Sequence, residues 1–178
     1  MSEPAGLNIR TFVPTDLAQV QELFASGLME FAAGVEHEVR RYVDHSLNDD
    51  LADIPGHYLS HPRANFWVVE YGGPPVAIVG IVGIQPRERE EEAELRRMSV
   101  SSSVRRRGIG RGLLETTEDF CREQGYRRIC LSTVHILGPA LAMYRRFGYR
   151  MVKEEAYGDP PHRPLIVHHL VKELAETI

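Results

Sequence analysis

Cysteine is nearly absent from the 178-residue chain: only Cys121 and Cys130 occur, with no histidine or cysteine near them at metal-ligand spacing. That excludes a disulfide framework and argues against a zinc site, so a reduced, cytoplasmic protein without a metal is the expectation. Long apolar runs are missing too. The longest, Val76 to Ile84, has the length of a strand, far short of the roughly 20 residues that cross a bilayer. There is no excess of positive charge: 21 Lys and Arg stand against 25 Asp and Glu, a net of −4. The chain as a whole therefore offers no bulk attraction to nucleic acid or to an anionic membrane. Its first residues, Met1-Ser2-Glu3-Pro4, lack the basic and apolar regions of a signal peptide.

What is there suits a folded domain. Apolar residues make up 43% and charged residues 26%, ordinary for a soluble globular protein. A chain of this length buries about 70% of its unfolded surface without a disulfide or metal staple. With no repeat, low-complexity stretch or linker, one domain over residues 1–178 is expected.

Apolar periodicity divides the chain into elements. Leu7 to Val13 alternates like a half-buried strand, and Pro14 stops it. Asp16 and Gln19 have capping-box spacing; Leu17, Val20, Leu23, Phe24, Leu28 and Phe31 then make one face of a helix. Val39, Tyr42, Val43 and Leu47 suggest a second helix, followed by a short piece around residues 51–59. Strands are expected over Asn65–Glu70, with Phe66 and Trp67 in the core, and over Val76–Ile84. The latter is apolar on both faces and hence central. A strand from Ala93 to Val100 comes next, then a helix stripe through Ile109, Leu113, Thr117, Phe120 and Cys121 that ends at Gly125. Arg128–Thr133 reads as a strand, Pro139–Phe147 as a helix with proline at its start, and Gly148 onward and Leu165–Val171 as strands. His168 and His169 face opposite sides of that last strand, and neither reads as a metal ligand. The order predicts a mixed α/β domain, one sheet with helices on both faces.

Charge separates sharply around the strand at 93–100. Residues 87–94 hold five Glu and two Arg, and residues 96–111 hold six Arg and no acid. The basic segment, Met98-Ser-Val-Ser-Ser-Ser-Val-Arg105-Arg-Arg-Gly108-Ile-Gly110-Arg-Gly112, follows a strand and opens a helix. Glycine lets backbone approach a ligand, and a helix start carries unpartnered amides and the positive end of the dipole. Arg105, Arg106, Arg107 and Arg111 add charges suited to phosphate oxygens. A P-loop would need Gly-Lys-Ser/Thr where Arg111-Gly112-Leu113 stands. A dinucleotide site would use the first strand. A pyrophosphate cradle and a merely solvated basic turn remain.

Arg105-x-x-Gly108-x-Gly110 matches the Q/R-x-x-G-x-G/A signature of the GNAT superfamily of acetyl-coenzyme A-dependent N-acetyltransferases. Ala140-Leu-Ala-Met-Tyr144-Arg-Arg-Phe-Gly148-Tyr149 resembles that family's A-x-x-x-Y-x-x-x-G-F/Y segment. More narrowly, Arg97-Met-Ser-Val100, Asn65-Phe-Trp-Val-Val-Glu70 and Leu23-Phe-Ala-Ser-Gly-Leu-Met-Glu30 are similar to the vertebrate aspartate and cysteine-conjugate N-acetyltransferases. Those carry a membrane-embedding apolar stretch, where residues 31–64 here are polar, so no membrane attachment is expected.

The resemblance implies a mostly antiparallel sheet of about seven strands, with a splayed pair that admits the cofactor, acetyl-CoA. The pyrophosphate would sit on the amides of Arg106, Arg107, Gly108, Ile109 and Gly110, with Arg105, Arg111 and Gly112 beside them. The backbone of Met98 to Val100 would hold the acetyl carbonyl and pantetheine arm. Tyr144 would protonate the leaving thiolate. An asparagine that family members often place seven residues before this tyrosine is Leu137 here.

An amine with an ordinary pKa of about 8–10.4 is at most roughly 10% neutral at pH 7, so a general base is useful. Glu94 matches a base position in some members, and a regular strand would put it on one face with Arg96, Met98 and Val100. It could equally extend the solvated acidic run. His135 is the second candidate, by residue type. The expected reaction is acetyl transfer to a primary amine of a small molecule or peptide; a silent acyl-CoA-binding module is the alternative. Glu30, Glu36, Glu38, Asp49, Asp50 and Asp53 hint at a cationic acceptor, whereas Arg40 or Arg41 would suit an amino acid's carboxylate. The resemblance also suggests a homodimer.

Overall fold

The computed structural model describes residues 6–175, so the reading of Met1-Ser2-Glu3-Pro4 lies outside it. The strand β1 (Leu7–Thr11) stops two residues before the expected Val13, because the chain already turns through Pro14–Asp16 into helix α1 (Leu17–Met29). The expected Asp16–Gln19 capping box does not form. The Asp16 carboxylate turns back to accept the Val13 amide at 2.9 Å and the Arg10 guanidinium at 2.8 and 2.9 Å. Gln19 instead bridges to the start of the third strand, accepting the Ile78 amide at 2.9 Å. A charge-assisted fork outweighs a local neutral bond, so the cap gives way to the tertiary contact.

Helix α2 (Glu36–Asn48) follows, then a short turn at Pro55–Leu59 and the strands β2 (Asn65–Tyr71), β3 (Ala77–Pro86) and β4 (Glu92–Val100). Helix α3 (Ile109–Glu123) ends at Gly125, whose φ of +80° fits the expected left-handed cap. Strand β5 (Arg128–Val134), helix α4 (Gly138–Arg146), β6 (Arg150–Tyr157) and β7 (Leu165–Glu173) complete the order. The seven strands form one sheet in the order β1-β2-β3-β4-β5-β7-β6, antiparallel except for β4 against β5.

The sheet separates two apolar layers. One, beneath α3 and α4, gathers Trp67, Leu95, Ile109, Leu113, Ile129 and Tyr144. The other, beneath α1 and α2, gathers Phe24, Val43, Phe66, Val68, Ile81 and Tyr58. Phe66 and Trp67 are both buried, on opposite faces, as strand alternation requires. Helix α1 packs over β3 and β4. On this same face, farther along the sheet, Ser132, Lys153 and Glu155 are exposed. Among the described residues, no helix is long and apolar enough to cross a membrane.

Candidate active site

The sheet opens in its middle. Strands β4 and β5 pair only at Glu92–Arg128, Ala93–Ile129 and Glu94–Cys130. Beyond that rung, β4 from Leu95 to Val100 and β5 from Leu131 to Val134 have no pairing with each other, which leaves a wedge between them with unpartnered strand edges. A substrate arm can enter such an edge by strand-like hydrogen bonding.

A bulge at Arg97 shapes the β4 side of the wedge. The register against β3 slips between the rungs Gly83–Arg96 and Ile81–Ser99, and Arg97 takes a φ of +58°. One extra residue exchanges the faces of everything downstream. Met98 and Val100 consequently pack against the α3 layer, while Arg96 and Arg97 both point toward Asp50 on the α2 side. The expected common face for Glu94, Arg96, Met98 and Val100 is therefore divided: Glu94 and Arg96 lie on one side, Met98 and Val100 on the other. The left-handed Arg97 backbone costs on the order of 1–3 kcal/mol, and a buried network holds it. Its guanidinium donates to Asp50 at 3.0 and 2.6 Å, to Ser46 Oγ at 2.9 Å and to Tyr42 Oη at 2.9 Å. Asp50 also accepts the Tyr58 hydroxyl. Burial alone would raise the Asp50 carboxyl, but the Arg97 and Tyr58 hydrogen bonds and the arginine charges outweigh it and hold it below the usual range.

At the end of β4 the chain passes through Ser102–Val104 into the arginine-rich loop. Arg106 is left-handed at φ +63° and Gly108 at φ +76°, a backbone that turns successive amides to one side. The first internal bond of α3 runs from the Gly112 amide to the Gly108 carbonyl at 2.9 Å. The amides of Ile109, Gly110 and Arg111 thus have no helical acceptor and, with the dipole of this 15-residue helix, can receive an anion. The glycines divide the work. Gly108 needs its left-handed φ and has open space where a Cβ would stand; Gly110 makes room for Met143 of α4, whose Sδ would be 2.7 Å from a Cβ. Of the arginines, Arg105 forks onto Glu30 at 2.9 and 2.6 Å, Arg107 donates to Tyr71 Oη at 2.9 Å and Arg111 pairs with Glu115 at 2.7 Å.

Tyr144 lies on α4, buried against Tyr149 with ring centroids 5.8 Å apart, and its hydroxyl makes no hydrogen bond among the described residues. Burial pushes that hydroxyl well up from its ordinary value, so it stays protonated. Glu94 is on the opposite face, at the last rung joining β4 to β5. His135 is exposed, and its Nδ1 accepts the Ile166 amide at 3.0 Å. The neutral ring then carries its proton on Nε2, which leaves no free lone pair for an incoming proton. Arg41, expected to suit a carboxylate, pairs with Asp159 across the 158–164 loop.

Three features had no signal in the sequence: the Arg97–Asp50 tether, the Glu30–Arg105 fork, and a contact chain on the open face. In that chain Ser132 Oγ is 2.9 Å from His169 Nδ1, and His169 Nε2 is 3.1 Å from Glu155 Oε1. Each joins residues far apart along the chain that only strand pairing or helix packing brings together.

The acetyltransferase (GNAT) family model matches residues 30–149. Rat (Rattus norvegicus) N-acetyltransferase 8 is 35% identical over 139 residues, which is 78% of this chain and 62% of that protein. N-acetylaspartate synthetase of Danio rerio is 36% identical over 113 residues, 64% of this chain and 39% of that protein. Rat N-acetyltransferase family 8 member 3 is 36% identical over 118 residues, 66% of this chain and 52% of its own length. The chain thus spans about half the length of the curated relatives it matches. Among solved structures, a GNAT acetyltransferase of Staphylococcus aureus Mu50 superposes with a TM-score of 0.75 at 23% identity, covering 95% of this chain and 99% of that one. The PaiA N-acetyltransferase of Thermoplasma acidophilum, in complex with coenzyme A, gives 0.71 at 16% identity, covering 97% and 99%. The seven-stranded sheet is theirs in architecture, and the chain belongs to the acetyltransferase (GNAT) family.

Proposed function

We propose that the protein transfers an acetyl group from acetyl-CoA to a primary amine of a small molecule or peptide. One observation carries this: the wedge between β4 and β5 opens beside the amide cradle at the start of α3. A thioester carrier with a diphosphate needs both, an anion site for its charge and a slot with free strand edges for its arm. The donors present fit that group. The amides of Arg106 to Gly110, with Arg111 and Gly112 following, would hold the diphosphate. Arg105, Arg106 and Arg107 would add charge. Met98 and Val100 would present backbone to the arm and acetyl group.

The two faces of the sheet then divide the proton traffic. Helices α3 and α4 fill one face, so an acceptor reaches the wedge from the other, where Glu94 stands. An amine nitrogen attacks the thioester carbonyl there, the C–S bond breaks, and the thiolate takes a proton from Tyr144 on the α4 side. Glu94 and His135, the acceptor-side groups named from sequence, are the first candidates for the amine's proton, and the Nδ1 bond to Ile166 counts against His135. The N-acetyltransferase relatives support this reading, and a cytoplasmic location goes with it.

Calorimetry with acetyl-CoA and thiol release across a panel of amino acids, polyamines and aralkylamines test it. Micromolar binding with turnover is expected. Absence of binding by folded protein would overturn the reading; binding without turnover on any amine would favour a silent acyl-CoA-binding module.

A further inference from the structure

We infer that Ser132, His169 and Glu155 form a relay that removes the amine's proton; this rests on the acetyl-transfer reading above. The three side chains come from β5, β7 and β6. Ser132 pairs across the ladder with His169, and His169 pairs with Lys153, two residues from Glu155 on the same face. Cys130 is the last β5 residue joined to β4. Ser132, two residues farther and on the same face, therefore stands on the lip of the wedge, the first residue of that face past the last shared rung. Its hydroxyl is exposed on the face an acceptor must use, and the imidazole behind it is half-buried.

The polar order is that of an activated hydroxyl: oxygen, imidazole, carboxylate. Ser132 Oγ lies 2.9 Å from Nδ1 of His169. Nε2 is buried and 3.1 Å from Glu155 Oε1, close but out of line for a hydrogen bond. A carboxylate there favours the tautomer with the proton on Nε2 and stabilises the ring once charged. Nδ1 is then the acceptor of the serine O–H, and the serine oxygen keeps lone pairs for an ammonium at the wedge.

The step balances with one proton and no redox partner. An ammonium N–H bond breaks as its proton passes to Ser132 Oγ, and the serine proton passes to Nδ1. The products are a neutral amine, an unchanged hydroxyl and an imidazolium beside Glu155, which later yields its proton to water. The freed nitrogen lone pair attacks the thioester carbonyl. Ser132 is the catalytic contact, and His169 and Glu155 act through it. The charged and titratable groups facing the ring are Glu155 and Lys153 from β6, Cys130 from β5 and, one rung away, Glu94 of β4. Lys153 Nζ is 2.6 Å from Glu155 Oε2, so the carboxylate is shared. His168 lies on the reverse face, 3.0 Å from Met151 Sδ, and takes no part.

The test compares wild type, Ser132→Ala, His169→Gln and Glu94→Gln, using the best acceptor from the amine panel between pH 6.5 and 9.5, with acetyl-CoA affinity measured alongside. Ser132→Ala and His169→Gln are expected to lower kcat/KM for the amine by about 100-fold at pH 7, with acetyl-CoA affinity within about twofold. The deficit should shrink as the pH approaches the amine's own pKa, because the amine then sheds its proton unaided. A merely structural role would give a deficit constant with pH. Wild-type rates in His169→Gln, a pH-independent loss, or a fading deficit found only in Glu94→Gln would each overturn the relay. A wild type that binds acetyl-CoA but acetylates no amine would instead remove the acetyl-transfer reading, and the relay with it.

Discussion

Arg97 and Asp50 face each other in a two-bond fork, 3.0 and 2.6 Å, between side chains that are 4% and 1% exposed. The pair ties the strained bulge of β4 to the segment after α2, so one contact fixes both the wedge's β4 edge and the position of the α2 side. Breaking a buried pair by removing one partner costs about 3–5 kcal/mol. Asp50→Ala is expected to lose that much in urea denaturation, whereas replacing both residues with apolar ones of similar volume should recover most of it.

The same carboxylate makes stability depend on pH. Its folded pKa is depressed despite burial, because the Arg97 hydrogen bonds and charge prevail. A depressed acid contributes stability above its unfolded value of about 3.9, and that contribution fades as pH falls through the lower folded value. Denaturation midpoints for the wild type should therefore drop more steeply below about pH 4 than those of Asp50→Asn.

Tyr144 and stability should be uncoupled. Its hydroxyl makes no hydrogen bond among the described residues, so Tyr144→Phe is expected to change unfolding free energy by no more than about 0.5 kcal/mol. Loss of the proposed proton donor to the thiolate should nevertheless lower kcat by about 100-fold. The wild-type rate should show no alkaline limb from this group, because burial keeps it protonated.

The loop glycines separate strain from clash. Gly108→Ala meets nothing but must hold φ +76°, and about 1 kcal/mol of backbone strain is expected. Gly110→Ala drives a Cβ into Met143 Sδ, one residue from Tyr144. It should lower kcat more than Gly108→Ala at equal stability. Equal effects on kcat would show that α4 absorbs the clash.

Glu30 and Arg105 are half-exposed, at 41% and 39% of their side chains, and such a pair is worth about 0–1 kcal/mol. Phosphate oxygens can therefore displace Glu30 at little cost. Glu30→Gln is expected to tighten acetyl-CoA binding by about threefold at low salt, and Arg105→Ala to weaken it about tenfold. Calorimetry at two ionic strengths reads both, and the Glu30→Gln gain should vanish at the higher one.

Most helices and strands were legible because their signals are local. The Leu17–Phe31 stripe, the two-faced apolar run before Ile84, Gly125 and Pro139 each act within a turn or a strand of themselves. The Arg105-x-x-Gly108-x-Gly110 loop was legible for the same reason, since a helix start that leaves consecutive amides without an acceptor is built from consecutive residues. The capping box at Asp16 failed because Arg10, six residues earlier on β1, took the carboxylate, and because Gln19 was drawn to the Ile78 amide 59 residues on.

The sequence by itself thus determined the order of elements, the arginine- and glycine-rich loop that opens α3 and the tyrosine on α4. Only the tertiary structure decided which side of the sheet each group lies on. The bulge at Arg97 sends Met98 and Val100 one way and leaves Glu94 the other, and a slip of that kind depends on hydrogen bonds to β3 and on a carboxylate 47 residues earlier. Ser132 and His169 meet because β5 and β7 pair across 37 residues of chain. Periodicity reports where a side chain points along its own strand; pairing and packing set what it meets there.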